Sequence, residues 1–156
     1  MIRLFVPTTQ YYISKLLTEG FFLKKQTPAG LPIKGQYMFK TDIIQKVAYS
    51  RMLFLQRQKL HRVIAEYLIK NNENNLEAIA PVLAYHWMHV IESVTDPDQE
   101  IVLRAIKCIQ QSISLSLSSN QNPADWKAKG RAMAELLSDS KLKHKYTKEF
   151  AAESSK

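Results

Sequence analysis

The sequence contains few of the residues that interrupt helices or cross-link a chain. Its 156 residues include four glycines, six prolines and one cysteine, whereas Ala, Leu, Ile, Lys and Gln are plentiful. Scarce Gly and Pro favour a mostly helical chain. A single cysteine, Cys108, excludes an internal disulfide framework and fits a reducing compartment, so a cytoplasmic location is expected.

Long apolar runs are also missing. No stretch reaches the roughly 18–20 apolar residues of a membrane-spanning helix, so no membrane span is predicted. Residues 1–6 are too few for the apolar part of a secretory signal peptide, and Pro7 interrupts them. A hydrophobic content of 46% argues against full disorder and suits one domain, or a small domain with an appendage.

Charge is distributed unevenly along the chain. Residues 1–70 carry twelve Lys or Arg against three acids, residues 71–100 carry six acids and no Lys or Arg, and residues 101–156 carry ten against five. The basic part could contact nucleic acid or an acidic neighbour. Because its basic residues are spread out, solvated helix faces are the favoured interpretation.

Residues with catalytic or metal-binding chemistry do not form a recognisable motif. There is no Gly-x-x-x-x-Gly-Lys-Ser/Thr loop, and Cys108 has no histidine beside it in sequence. His86 and His89 lie three residues apart, with His61 elsewhere, but metal sites need three or four converging ligands. Packing and hydrogen-bonding roles are favoured, so no catalytic, cofactor-binding or metal-binding residue is assigned.

Arg57 and His61 lie one helical turn apart. They could form a sensor or phosphate contact, but a capping or inter-helix hydrogen-bonding pair is favoured. Four aromatic residues fall at core spacing and are interpreted as core rather than as platforms for stacking bases: Phe39, Tyr67, Trp87 and Trp126.

Residues 1–52 predict part of a winged helix. A first helix follows a cap at Thr8 or Thr9 and ends at Gly20. Helix, strand, turn and strand in succession are typical of the second half of a winged helix-turn-helix domain. Two further helices normally precede this point, so the module looks truncated or the chain is a fragment.

The predicted wing is a β-hairpin. Its strands are Phe21–Lys25 and Gln36–Phe39, and residues 26–35 form a turn-rich connection. Thr41 or Asp42 can cap the helix that follows.

Residues 53–150 predict antiparallel helical hairpins like those of TPR repeats. Helices are expected over 53–70, 81–93 and 97–118, then after Pro123 and around 142–150. The buried residues expected on the first two of these helices are Leu60, Val63, Ile64, Tyr67, Leu68, Leu83, Trp87, Val90 and Ile91. Residues 151–156 are expected to be a disordered tail. The fold class is therefore mostly α.

Three segments resemble a known family. Phe39–Tyr49 reads Phe-x-x-Asp-Ile-Ile-Gln-x-Val-Ala-Tyr, residues 57–61 read Arg-x-x-x-His, and residues 83–87 read Leu-Ala-Tyr-His-Trp. In this order and spacing, over roughly a third of the chain, they resemble the region after the ATPase core of soluble (type 10-like) adenylyl cyclases and related AAA/STAND-type regulators.

The resemblance implies a non-catalytic regulatory or scaffolding segment that couples an ATPase module to helical repeats in cyclic-AMP signalling. Its partners would be the ATPase and cyclase modules of a longer chain, or their equivalents. The family's phosphate-binding loop and cyclase carboxylates have no counterpart here, so no catalytic residue or cofactor is carried over. Thr41 stands where the family has His and Lys46 where it has an acid, which argues against nucleotide sensing.

The alternative function is a winged-helix protein that binds nucleic acid. Its groove-entering helix would be Tyr11–Thr18, which carries one lysine, Lys15, and no cluster of Arg, Asn or Gln suited to base edges. Lys24 and Lys25 follow just after it. A protein-contacting winged helix is therefore favoured, without specific nucleic-acid binding.

Overall fold

The chain folds into seven α-helices and one two-stranded antiparallel sheet within the residues that the computed structural model describes, which are 9–27, 32–92 and 94–152. The expected mostly helical fold is confirmed. The chain divides into two compact units, Met1–Leu53 and Phe54–Lys156. None of the helices in the described ranges combines the length and apolarity needed to cross a membrane.

The first unit contains helices α1 (Thr9–Thr18) and α2 (Asp42–Arg51) and strands β1 (Phe22–Gln26) and β2 (Pro32–Phe39). Gly20 follows α1 with a φ of 75°, the left-handed conformation expected of a helix-ending glycine. Thr41 caps α2 as predicted, because its hydroxyl accepts a hydrogen bond from the Ile44 amide at 3.4 Å.

The prediction for the second strand of the hairpin was wrong at its start. β2 begins at Pro32 rather than Gln36, and Pro32 pairs with Gln26 across an irregularity in β1 between Lys24 and Gln26. The proline is tolerated because it is the first residue of the strand. Of the predicted turn, Pro28 and Gly30 lie outside the described residues.

The second unit consists of five α-helices and a short 3₁₀ turn at Glu73–Asn75 within its described residues. The helices are α3 (Phe54–Asn71), α4 (Ala80–Ile91), α5 (Gln99–Ser118), α6 (Ala124–Glu135) and α7 (Ser140–Ala151). Each helix packs on the next along the chain, from α3 to α7. The predicted tail overlaps the end of α7 at Ala151, and residues 153–156 lie outside the described part.

One core holds the second unit together. Its buried residues come from α3 to α7. The largest include Trp87 of α4, Ile106 and Ile109 of α5, and Phe150 of α7. The face predicted for α4 is confirmed, since all four of its residues are buried: Leu83, Trp87, Val90 and Ile91. Pro81 lies in the first turn of α4, where a helix tolerates proline.

The prediction for the buried face of α3 was wrong for three of its five residues, while Ile64 and Leu68 are half-buried and Leu68 packs against the core. The buried residues of α3 are His61 and Ala65, whereas Leu60, Val63 and Tyr67 are exposed. Apolar residues lie on both faces of this helix, so their spacing alone does not identify the inner one. The small Ala65 lets α4 approach, and the Gln58 side chain donates a hydrogen bond to the Val90 carbonyl of α4 at 2.9 Å.

The start of α5 differs from the prediction by two residues. The helix begins at Gln99, after a cap at Asp98 whose carboxylate accepts from the Glu100 amide at 2.9 Å. Pro97 therefore precedes the helix instead of opening it, as the predicted start at residue 97 would require. Similarly, Pro123 is the cap of α6, and the Asn122 side chain accepts from the Ala124 amide.

The serine-rich end of α5 is helical. Alternating Ser and Ile or Leu over residues 112–119 would suit a strand if read alone. In the helix, Ser112 donates to the Cys108 carbonyl at 2.7 Å and Ser116 to the Ser112 carbonyl at 2.9 Å. These bonds satisfy the two buried hydroxyls inside the helix itself, so the core can accept them.

Candidate functional site

The first unit carries an apolar groove of about 520 Å³. All four elements of the unit contribute to it, and every lining side chain is apolar: Leu16, Phe21, Phe22, Phe39, Ile43, Ile44, Val47 and Ala48. This set of residues is called the apolar groove below. A surface without polar groups offers no hydrogen bonds to a ligand, so it suits apolar side chains of another protein.

Local structure explains how the groove forms. The left-handed turn at Gly20 ends α1 and lets the Phe21 amide donate to the Leu16 carbonyl at 2.9 Å. Phe22 and Phe39 then face each other across the hairpin, with ring centroids 4.9 Å apart and nearly perpendicular planes. The hairpin's aromatic face and the first turns of α2 form the rest of the groove.

The residues of the apolar groove are accessible to solvent. Among the described side chains of the first unit, at positions 9–27 and 36–53, none is buried. Ile43 is 73% exposed, and Val47 and Phe21 are also exposed. Apolar patches of this kind mark interaction sites.

Exposed basic side chains border the apolar groove in sequence. Lys15, Lys40 and Lys46 are exposed and adjoin groove residues along the chain. Lys15 also lies 3.9 Å from Glu19 on α1, an exposed pair of little energetic weight. Lys24 and Lys25 are exposed on β1. A partner with acids beside its apolar residues would match this border.

The structure brings three histidines together. His86 and His89 are close in sequence, whereas His61 is on another helix. The Nδ1 atoms of His61 on α3 and His86 on α4 are 2.8 Å apart, a hydrogen bond in which one ring donates to the other. The His89 ring stacks on His61 with centroids 4.7 Å apart, and Tyr85 packs at the edge of His61. Packing and hydrogen bonding, the favoured interpretation, describe this cluster.

Burial sets the protonation of the cluster. The pKa of His61 is lowered to about 4, mainly by loss of water on burial and also by the positive charges that His89 and His86 would carry. Burial and His89 also lower the pKa of His86. Both pKa values are therefore shifted toward the neutral ring, and the hydrogen bond between the rings needs at least one unprotonated nitrogen as acceptor.

The structure also places Cys108 and the side chains that could bind a metal. Cys108 is buried on α5, and burial raises the pKa of its thiol to about 11, which makes it a poor nucleophile. Across 9–27, 32–92 and 94–152, no three His, Cys, Asp or Glu side chains are arranged to hold a metal ion.

The remaining candidate residues divide between core and surface. Trp87 is in the core, Phe39 and Trp126 are half-buried, and Tyr67 is exposed, so the core assignment of Tyr67 was wrong. Arg57 is half-buried on α3, and its pairing role stays a prediction.

Comparison of the chain with protein-family models, curated proteins and solved structures finds no match. The groove and the histidine cluster therefore have to be interpreted from their own geometry. The sequence did not predict the groove, since the hairpin and the helix after it were identified as separate elements. The i, i+4 spacing of His61 and Ala65 was the available signal for the true buried face of α3.

Proposed function

We propose that this chain is a non-catalytic regulatory segment of a soluble-adenylyl-cyclase-like signalling protein, in which the first unit binds a neighbouring protein module. The observation that carries the proposal is the open apolar groove in a unit whose described side chains are all at least partly exposed. An apolar surface of this kind is stabilised when a partner removes it from water, by roughly 25 cal/mol per Å².

The finer architecture belongs to the same proposal. The first unit is a partial winged helix whose wing is the β1–β2 hairpin. The second unit is a short array of TPR-like hairpins. The consecutive packing of α3 to α7 supports an array, because each helix of a repeat array packs mainly on its neighbours.

The proposal is tested with the purified ATPase module of a soluble adenylyl cyclase. The chain is expected to form a complex with it, measured by isothermal titration calorimetry. Ile43→Glu should weaken that complex at least about tenfold, because it places a charge in the groove. Leu117→Glu is the matched control, since Leu117 is an exposed leucine on α5 outside the groove.

The isolated chain gives a second measurement. An uncovered groove should cause self-association, which light scattering detects and which Ile43→Glu should reduce while Leu117→Glu does not. A wild-type chain that stays monomeric and does not bind the ATPase module would refute the proposal. Purified protein should also neither hydrolyse ATP nor form cyclic AMP.

A nucleic-acid-binding winged helix is the second candidate, favoured by the excess of basic residues over positions 1–70. It predicts sequence-selective binding to duplex DNA. The protein-binding proposal predicts affinity no tighter than about 10⁻⁴–10⁻⁶ M at physiological salt, without sequence preference. Titration of random and selected duplexes at two salt concentrations decides between them.

A further inference from the structure

Helix α3 has a second apolar stripe on the side away from the core. Leu60, Val63 and Tyr67 are 37%, 53% and 64% exposed. Their spacing of i, i+3 and i+7 places them on one face. Val63 and the buried Ala65 are two residues apart, about 200° around the helix, so this stripe points away from α4.

The position of α3 in the array makes this face unusual. Within the second unit α3 packs mainly on α4 and begins the succession of packed helices that ends with α7. The outermost helix of such an array normally presents a polar outer face. A helix that presents apolar residues at core spacing instead has the surface of an interior helix, to which another helix can be added.

Charge on α3 specifies what that added helix should carry. One edge of the stripe has three exposed basic residues, Lys59, Arg62 and Lys70, against one acid, Glu66. The opposite edge has Ile64, Asn71 and one charged side chain, Arg57, which is half-buried. The complementary helix therefore has an apolar ridge with acidic residues along one edge.

We propose that the outer face of α3 binds an amphipathic helix of a partner protein, with Leu60, Val63 and Tyr67 as the apolar contact and Lys59 and Lys70 facing acids on that helix. This binding surface lies on the second unit and does not depend on the apolar groove. The recognition mode is a helix laid along a helix, with anchors at i, i+3 and i+7.

The test uses three synthetic peptides of about 20 residues, or ~30 Å when helical. The first has a leucine ridge with Glu along one edge, the second has Lys at the same edge positions, and the third is a scramble of the first. Binding is followed by fluorescence anisotropy of the labelled peptide at about 150 mM salt, where distant charges are screened. The scramble controls for general attraction of an acidic peptide to this basic chain.

The Glu-edged peptide should bind at least about tenfold more tightly than either of the others. Val63→Glu should remove that advantage, while Leu117→Glu and Ile43→Glu should retain it. The double variant Lys59→Glu, Lys70→Glu should reverse the preference toward the Lys-edged peptide. Circular dichroism and thermal melting confirm that each variant is folded, as expected for substitutions at exposed positions.

Four results would overturn the proposal. Equal binding of the scrambled peptide would reduce the effect to general electrostatics. Unchanged binding by Val63→Glu would place the peptide elsewhere, and an equal loss in Leu117→Glu would show that the stripe has no special role. Loss in Ile43→Glu alone would transfer the binding to the apolar groove.

Discussion

The two units of this chain use similar amphipathic elements with opposite results. In the second unit, five helices bury a shared core that includes Trp87, Ile106 and Phe150. In the first unit, two helices and a hairpin leave every described side chain at least partly exposed. Apolar patterning is present in both, so the difference lies in the number of packed layers. A pattern specifies which face should be covered, while burial requires a second layer to cover it.

The largest effect expected from this comparison concerns Trp87. Because its indole is only 2% exposed, Trp87→Ala should lower the free energy of unfolding by about 3–5 kcal/mol. Phe21→Ala in the first unit, at a residue that is 42% exposed, should cost less than about 1 kcal/mol. Urea unfolding followed by circular dichroism measures both. Similar losses for the two variants would remove the distinction between the units.

Acid should destabilise the second unit through its histidines. The pKa of His61 is about 4 in the folded chain and near 6.5 unfolded, so the neutral ring contributes stability that is fully present above pH 6.5. As pH falls from 6.5 to 4, the unfolded chain binds a proton that folded His61 does not, at a cost on the order of 3 kcal/mol.

The pH dependence is measured by urea unfolding at several pH values. His61→Gln should flatten the profile between pH 6.5 and 4, while His144→Gln, at an exposed histidine of α7, should leave the slope as in the wild type. A wild-type profile that is flat across this window would contradict the proposed burial of the cluster.

Gly20 in the first unit and Gly130 in the second unit resist substitution for different reasons. A methyl group at Gly130 of α6 would lie 2.7 Å from the Phe150 ring, so Gly130→Ala should cost about 1–3 kcal/mol by overpacking. Gly20→Ala in the first unit should cost about 1 kcal/mol because of its positive φ. Adding Phe150→Leu should reduce the penalty of Gly130→Ala and leave that of Gly20→Ala unchanged. Additive double-variant energies at residues 130 and 150 would contradict the close packing.

The smallest losses of stability are expected from removing helix caps. They also show whether a melting curve follows the first or the second unit. Asp139 accepts from the Lys141 and Leu142 amides at the start of α7, and Thr41 accepts from Ile44 at the start of α2. Asp139→Ala and Thr41→Ala should each cost about 1 kcal/mol. Only Asp139→Ala should move the melting of the second unit, followed by the near-ultraviolet signal of its tryptophans. An equal shift with Thr41→Ala would mean that the units unfold together.

Sequence was a good guide where most of the large apolar residues of an element lie on one face, or where a single residue marks its end. The buried face of α4 and the helix-ending turn at Gly20 were predicted because Leu83, Trp87 and a lone glycine each allow a single interpretation. Helix α3 was predicted with the wrong face inward, since it is apolar on two sides. Choosing between those sides depends on α4, which is distant in sequence, and local periodicity does not contain that information.

The candidate sites show the same limit. A protein-contacting winged helix was favoured from the sequence, but the apolar groove needs α1, the hairpin and α2 to converge. The histidine cluster joins positions 25 residues apart, His61 and His86, and only the packing of α3 on α4 brings them together. The resemblance to soluble adenylyl cyclases stays a prediction.

The serine-rich end of α5 has a consequence for what happens when the fold is lost. No charged residue occurs between Lys107 and Asp125, and residues 112–119 alternate small polar with branched apolar side chains. In the helix, the hydroxyls of Ser112 and Ser116 are held by carbonyls one turn earlier. Once the helix melts, the same alternation suits an extended strand that stacks with copies of itself into cross-β fibrils. Heating past the transition of the second unit should therefore lead to β-rich aggregates rather than to reversible unfolding.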